Sequence, residues 1–154
     1  MLGIERVVER YGGVVRTSEL ARHGYDGEML KLFVRCGLIY RVRQGWWCRP
    51  SASAGLLVAW RARGRLACVS ALEHHQSLPI SAANIHIALD RSAGRPPDET
   101  IVAHWSRREL AGDRRAVSVE VALEQARVCR AAATLPREAG LLRDAVEPLR
   151  AGTL

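Results

Sequence analysis

Two glycine-marked turns within the first fifty residues constrain this chain's fold more than any other feature. One separates two short capped helices, and the next folds a hairpin directly after them. From Leu2 to Tyr11 the apolar residues Leu2, Ile4, Val7 and Val8 recur near the helical period while Glu5, Arg6, Glu9 and Arg10 fall elsewhere, which predicts a first helix. Gly12-Gly13 stops it, and Val14-Val15 forms a short extended link. Thr17 is placed to cap a second helix running to His23, which Gly24 ends. Asp26 then caps a third, with Met29, Leu30, Leu32, Phe33 and Val34 as its apolar positions and Gly37 as its stop. Leu38 to Arg43 alternates in the strand period, Gln44-Gly45 is a hairpin turn, and Trp46-Trp47-Cys48-Arg49 returns before Pro50. Helix, turn, helix and hairpin in that order predict a winged helix-turn-helix over residues 1–50.

The rest of the chain changes character. Residues 51–65 read as a linker that includes a fourth helix on Leu56, Leu57, Val58 and Trp60, ending near Gly64. Residues 66–154 read as a small mixed α/β domain. Leu66 to Gln76 is a short strand or turn entering a helix on Val69, Ala71 and Leu72. Asn84 to Asp90 and Thr100 to Trp105 are two strands able to pair across a loop at Gly94–Glu99. A helix begins near Val119, and Pro136 opens a last one containing Leu141, Leu142, Ala145 and Val146. The expected class is α+β.

Chemistry enters through charge. The chain carries 23 basic and 16 acidic residues, a formal +7, and every basic residue except Lys31 is arginine. A guanidinium pairs with phosphate or a guanine edge, although a GC-rich genome would produce the same arginine preference without any function. The positive surplus is the better indicator, since it attracts polyanions whatever codons made it. Residues 1–50 hold nine cations against five acids. On the third helix Glu28, Lys31 and Arg35 should face away from the core, with Tyr25, Asp26 and Gly27 at its entrance. Arg41 and Arg43 should share one face of the first wing strand, beside Gln44 and Arg49, and Arg16 with Thr17 opens the second helix. These twelve positions form the expected contact surface for duplex DNA. A solvated basic face is the competing reading. Of Trp46 and Trp47, adjacent strand residues, one must pack inward. The other is open to stack on an unpaired base.

Enzymatic sites are not evident. No acid-x-lysine set, phosphate loop or nucleophile elbow occurs, so no catalytic residue is expected. Cys36, Cys48, Cys68 and Cys129 are widely spaced and read as buried thiols. His74, His75, His86 and His104, with Glu73, are the histidine set worth considering for a metal. His86 and His104 sit on the two strands expected to pair, yet no carboxylate or thiol pattern completes a tetrahedral site, so neither metal nor cofactor is expected. No leader segment or membrane span is evident, and a reducing cytoplasm is the expected location.

Gly12-Gly13-Val14-Val15 through Glu19-Leu20, His23-Gly24, Leu30 to Gly37 and Leu38 to Trp47 together resemble the amino-terminal domain of AbiEi-type antitoxins of type IV toxin-antitoxin systems. The same winged domain opens a related actinobacterial group whose carboxy-terminal part is similar to very-short-patch-repair endonucleases. Leu66 to His75, Ile85 to Ala88, Val102 to Trp105 and Val119 to Cys129 resemble the middle region of both groups. With the chain stopping at Leu154, the resemblance implies a form without the nuclease. It further implies a sequence-specific autorepressor acting on an operator, as a dimer on an inverted repeat or as monomers on repeated sites, with a cognate toxin as partner. Two readings stand beside it: a module that neutralises a toxin or host factor through the second domain, and a nuclease-less remnant of a repair endonuclease.

Overall fold

Local signals place the first elements. In the computed structural model, which describes residues 3–96 and 98–129, helix α1 (Ile4–Arg10) buries Ile4, Val7 and Val8 on one side. Strand β1 (Val14–Arg16) follows, then α2 (Thr17–Arg22) and α3 (Gly27–Arg35). A wing of β2 (Tyr40–Arg43) and β3 (Trp46–Cys48) comes next, then α4 (Ala54–Arg61). The chain divides into two units, residues 1–61 and 62–154. Within the first, Val7, Val8, Val15, Leu20 and Ile39 are wholly enclosed, and Tyr25 and Leu30 nearly so, in one core that joins the three helices to the sheet.

Asp26 behaves as the sequence predicts. Its Oδ1 accepts the Met29 backbone N–H at 2.9 Å, satisfying one of the donors a helix start leaves open. Replacing it with alanine is expected to cost about 1 kcal/mol. Thermal denaturation should register this as a fall of roughly 4–8 °C in the unit's melting temperature.

The cap of α2 differs from expectation. The helix starts one residue earlier than a Thr17 cap requires, with Arg16 at the cap position and its backbone N–H donating to Glu19 Oε2 at 2.8 Å. Thr17 Oγ1 instead accepts the Trp47 indole N–H at 2.8 Å, fastening the helix to the wing. The Val14-Val15 link is also more than a link. It pairs antiparallel with the returning wing strand, Val14 opposite Cys48 and Arg16 opposite Trp46, so the sheet runs β1-β3-β2. The Gln44-Gly45 turn closes the hairpin as read, with Gly45 at φ 74°, where a side chain would be strained. Helix α4 packs beside β2 in this first unit.

The second unit contains β4 (Arg65–Leu66), α5 (Cys68–His75), β5 (Ile85–Asp90), β6 (Ile101–Ser106) and α6 (Val119–Val128). Its sheet runs β4-β5-β6. β4 pairs antiparallel with β5, and β5 pairs parallel with β6 from Ile85 opposite Ile101 to Asp90 opposite Ser106. Central β5 is buried from Ile85 through Leu89, as expected of a strand with a neighbour on each edge. α5 and α6 pack on each other, and α5 on β5. The mixed α and β content and the winged-helix order agree with the α+β expectation. The helix expected from Pro136 lies outside the described residues. Among the described residues no helix is long and apolar enough to cross a membrane.

Candidate nucleic-acid interface

Burial on α3 defines a face. Leu30 is buried and Met29 and Phe33 pack partly against the core, all three within one side of the helical wheel. Glu28, Lys31, Leu32 and Arg35 occupy the opposite side and are exposed. Leu32, expected among the core positions, is 49% exposed, and Val34 lies outside the core as well. Three consecutive apolar residues cannot all face inward on a helix, and only Phe33 falls in line with Met29 and Leu30. The exposed face is therefore mixed, two cations flanking an aliphatic side chain. Lys31 Nζ also meets Glu28 Oε1 at 2.6 Å in a highly exposed ion pair, a contact of little net energy that a polyanion can displace.

The other expected contact residues separate into two groups. Arg16, Thr17, Asp26, Gly27, Arg41 and Gln44 are exposed, although Asp26 and Thr17 are engaged in the cap and indole bonds just described. Tyr25, Arg43 and Arg49 are occupied internally. Tyr25 is only 3% exposed and stands edge-on to Phe33 with ring centres 5.6 Å apart, so it supports α3 from beneath. Arg43 does not share the exposure of Arg41. A bulge between them breaks the strict alternation. Arg43 Nε donates to the Trp60 carbonyl of α4 at 3.0 Å. Arg49 pairs with Glu9 of α1 at 2.9 Å.

Both tryptophans are half-buried, on opposite faces of β3. Trp47 packs toward the core, as one of the pair had to. The Trp46 ring carries the Arg43 guanidinium at 4.2 Å and that of Arg16 at 4.8 Å. Two cations already cover the ring that was expected to be open for a base. Both guanidiniums are held there by the face of the ring.

In the second unit the histidines divide too. His75 Nε2 lies 2.7 Å from the Val117 carbonyl. Glu73 is buried, accepts the Ser81 N–H through Oε2, and has its pKa raised by burial. His86 and His104 are neighbours as anticipated: parallel pairing puts them on one face a rung apart, with Nδ1 of His86 3.0 Å from Nε2 of His104. Burial, with His104 close by, pulls the His86 pKa down to about 4, which leaves its imidazole neutral at neutral pH. The expectation that no thiol joins them is overturned. Cys68 and Cys129 bring their sulfurs to the same place, because the N-terminal end of α5 and the C-terminal end of α6 converge on that face. Nor are all four cysteines buried, since Cys36 is exposed and Cys129 partly so.

Residues 4–50 match the model of a family described as transcriptional regulator, AbiEi antitoxin. The matched segment opens with α1 and ends at Pro50, just past the returning wing strand. No curated protein sequence matches the chain.

Proposed function

We propose that this chain, whose residues 4–50 are similar to AbiEi antitoxin regulators, is a sequence-specific duplex-DNA-binding protein that represses its own gene. The observation that carries this reading is the exposed face of α3, where Lys31 and Arg35 stand one turn apart on either side of Leu32. In a winged helix-turn-helix the second helix of the pair lies in the major groove. There one cation takes a guanine edge, the other a phosphate, and an aliphatic side chain between them contacts a thymine methyl. Arg41 on the wing and Arg16 at the start of α2 take backbone phosphates. The reading assigns no catalytic residue, so binding is the activity.

A bacterial or phage cytoplasm suits such a regulator. Two copies on an inverted repeat would supply the usual geometry. A toxin encoded nearby would be the natural partner of the second unit.

The test is a gel shift on the gene's own upstream duplex with excess unrelated competitor, repeated at several salt concentrations. A specific complex is expected to survive the competitor. With about five phosphates neutralised, log affinity should fall with log salt at a slope of about −4 to −5. Equal affinity for upstream and unrelated DNA would defeat the reading.

A further inference from the structure

Four side chains from four separate elements of the second unit point their ligating atoms at one spot. Cys68 begins α5, His86 lies in β5, His104 in β6, and Cys129 caps the end of α6. One ligating atom from each lies within 4.8 Å of all the others. His86 Nδ1 is 3.0 Å from His104 Nε2, and Cys129 Sγ is 3.8 Å from each of those nitrogens. A tetrahedral zinc ion, with Zn–N about 2.0–2.1 Å and Zn–S about 2.3 Å, sets edges of roughly 3.3 Å between nitrogens and 3.6 Å between nitrogen and sulfur. The three edges among His86, His104 and Cys129 depart from these by a few tenths of an ångström, and the Cys68 ligating atom lies within 4.8 Å of each of the other three. We propose that Cys68, His86, His104 and Cys129 bind one zinc ion in a closed Cys2His2 site that fastens both helices to the sheet.

Donor chemistry selects the metal, since two soft sulfurs and two imidazoles in a tetrahedron suit zinc rather than magnesium or calcium. With all four positions filled by protein, no place is left for a reacting water, and the ion is structural. Charge balances within the site. Two thiols lose their protons to solvent, two imidazoles bind neutral, and two thiolates cancel the dication, so little net charge is buried.

A hydrogen-bonded histidine pair would explain the 3.0 Å contact alone, but not two thiols from distant helix ends converging on it. The backbone adds to this. Cys68 sits at φ 49°, a left-handed conformation unusual for any residue but glycine, and its N–H donates to Gln125 Oε1 of α6 at 2.9 Å. Cys68 and His86 are buried, whereas His104 and Cys129 are partly exposed and give the ion a way in.

The test uses the full chain purified reduced, without added metal or chelator. Elemental analysis is expected to find about one zinc per chain. After chelator treatment, cobalt(II) should bind one to one and give the intense visible bands of four-coordinate cobalt with thiolate charge transfer. Cys129→Ser and His104→Ala should each hold less than about a tenth of the zinc, while the His74→Ala, His75→Ala double variant keeps it all. Because a ligand loss can also unfold the unit, Cys129→His is the second arm: it should bind cobalt with the thiolate charge transfer reduced by about half. Absence of stoichiometric zinc together with a pale, six-coordinate cobalt spectrum overturns the proposal. So does metal binding that both Cys129→Ser and His104→Ala leave unchanged.

Discussion

Replacing Lys31 and Arg35 together with alanine is expected to weaken binding to the upstream duplex by at least about 30-fold, taking about 1–3 kcal/mol for each lost contact. Both side chains are exposed and neither packs into the core, so the variant should melt with the wild type. That separates a contact effect from a folding effect. The salt slope discriminates further. Each phosphate contact removed should flatten the slope by about 0.9, whereas loss of a base contact leaves it and relaxes sequence preference instead. Leu32→Ala is the informative companion, because an aliphatic contact to a thymine methyl carries preference without charge. It should change which base pair is favoured at one position and leave the slope alone. Glu28→Gln works in the opposite direction, removing an acid from the groove face and releasing Lys31 from its 2.6 Å pair, and should tighten binding. Competition binding by fluorescence anisotropy at three salt concentrations measures all of these. Unchanged affinity in the Lys31, Arg35 double variant would remove α3 as the reading element.

What was legible in the sequence follows the range of the interaction that fixes each feature. The Asp26 cap and the Gln44-Gly45 turn are set by residues within three or four positions of each other, and both are where the sequence puts them. β1 leaves no strand signal because its partner Trp46–Cys48 lies thirty residues on, and three residues carry too little alternation to announce it. Leu32 and Val34 read as core positions because a continuous apolar run hides the helical period, which only burial resolves. Arg43 reads as sharing one face with Arg41 because a bulge leaves no mark in the pattern of residue types. The metal-type cluster shows the same divide. Alternation locates both histidine strands, so the pair was foreseeable. Cys68 and Cys129 lie sixty-one residues apart, and only the packing of α5 with α6 brings their sulfurs together, so no motif spacing betrays them.

Gly112→Ala is expected to destabilise the second unit by about 3 kcal/mol or more, a loss comparable to deleting a large core side chain. Gly112 has φ 132°, a conformation that disfavours any Cβ. Space is lacking as well. A Cβ there would run into the Ala116 carbonyl oxygen and come within 2.7 Å of Val117 Cα and 2.8 Å of Ser118 N. All three obstacles are backbone, so no side chain can swing aside. The backbone is also committed elsewhere: Ser118 N–H donates to the Ala111 carbonyl, Asp113 N–H to that of Ala116, and Val117 N–H to that of Leu66 in β4. Ser118 is in turn the cap of α6. Relieving the clash therefore displaces either the edge of the sheet or the start of the helix whose far end holds Cys129. Gly27→Ala is the control, since a Cβ at that first position of α3 meets nothing within 4 Å and the backbone there is helical. It should leave stability unchanged or raise it by up to about 1 kcal/mol. Thermal and denaturant unfolding of the two variants beside the wild type decides the matter. Equal stability of Gly112→Ala and the parent would mean that the 111–118 turn yields more readily than its hydrogen bonds imply.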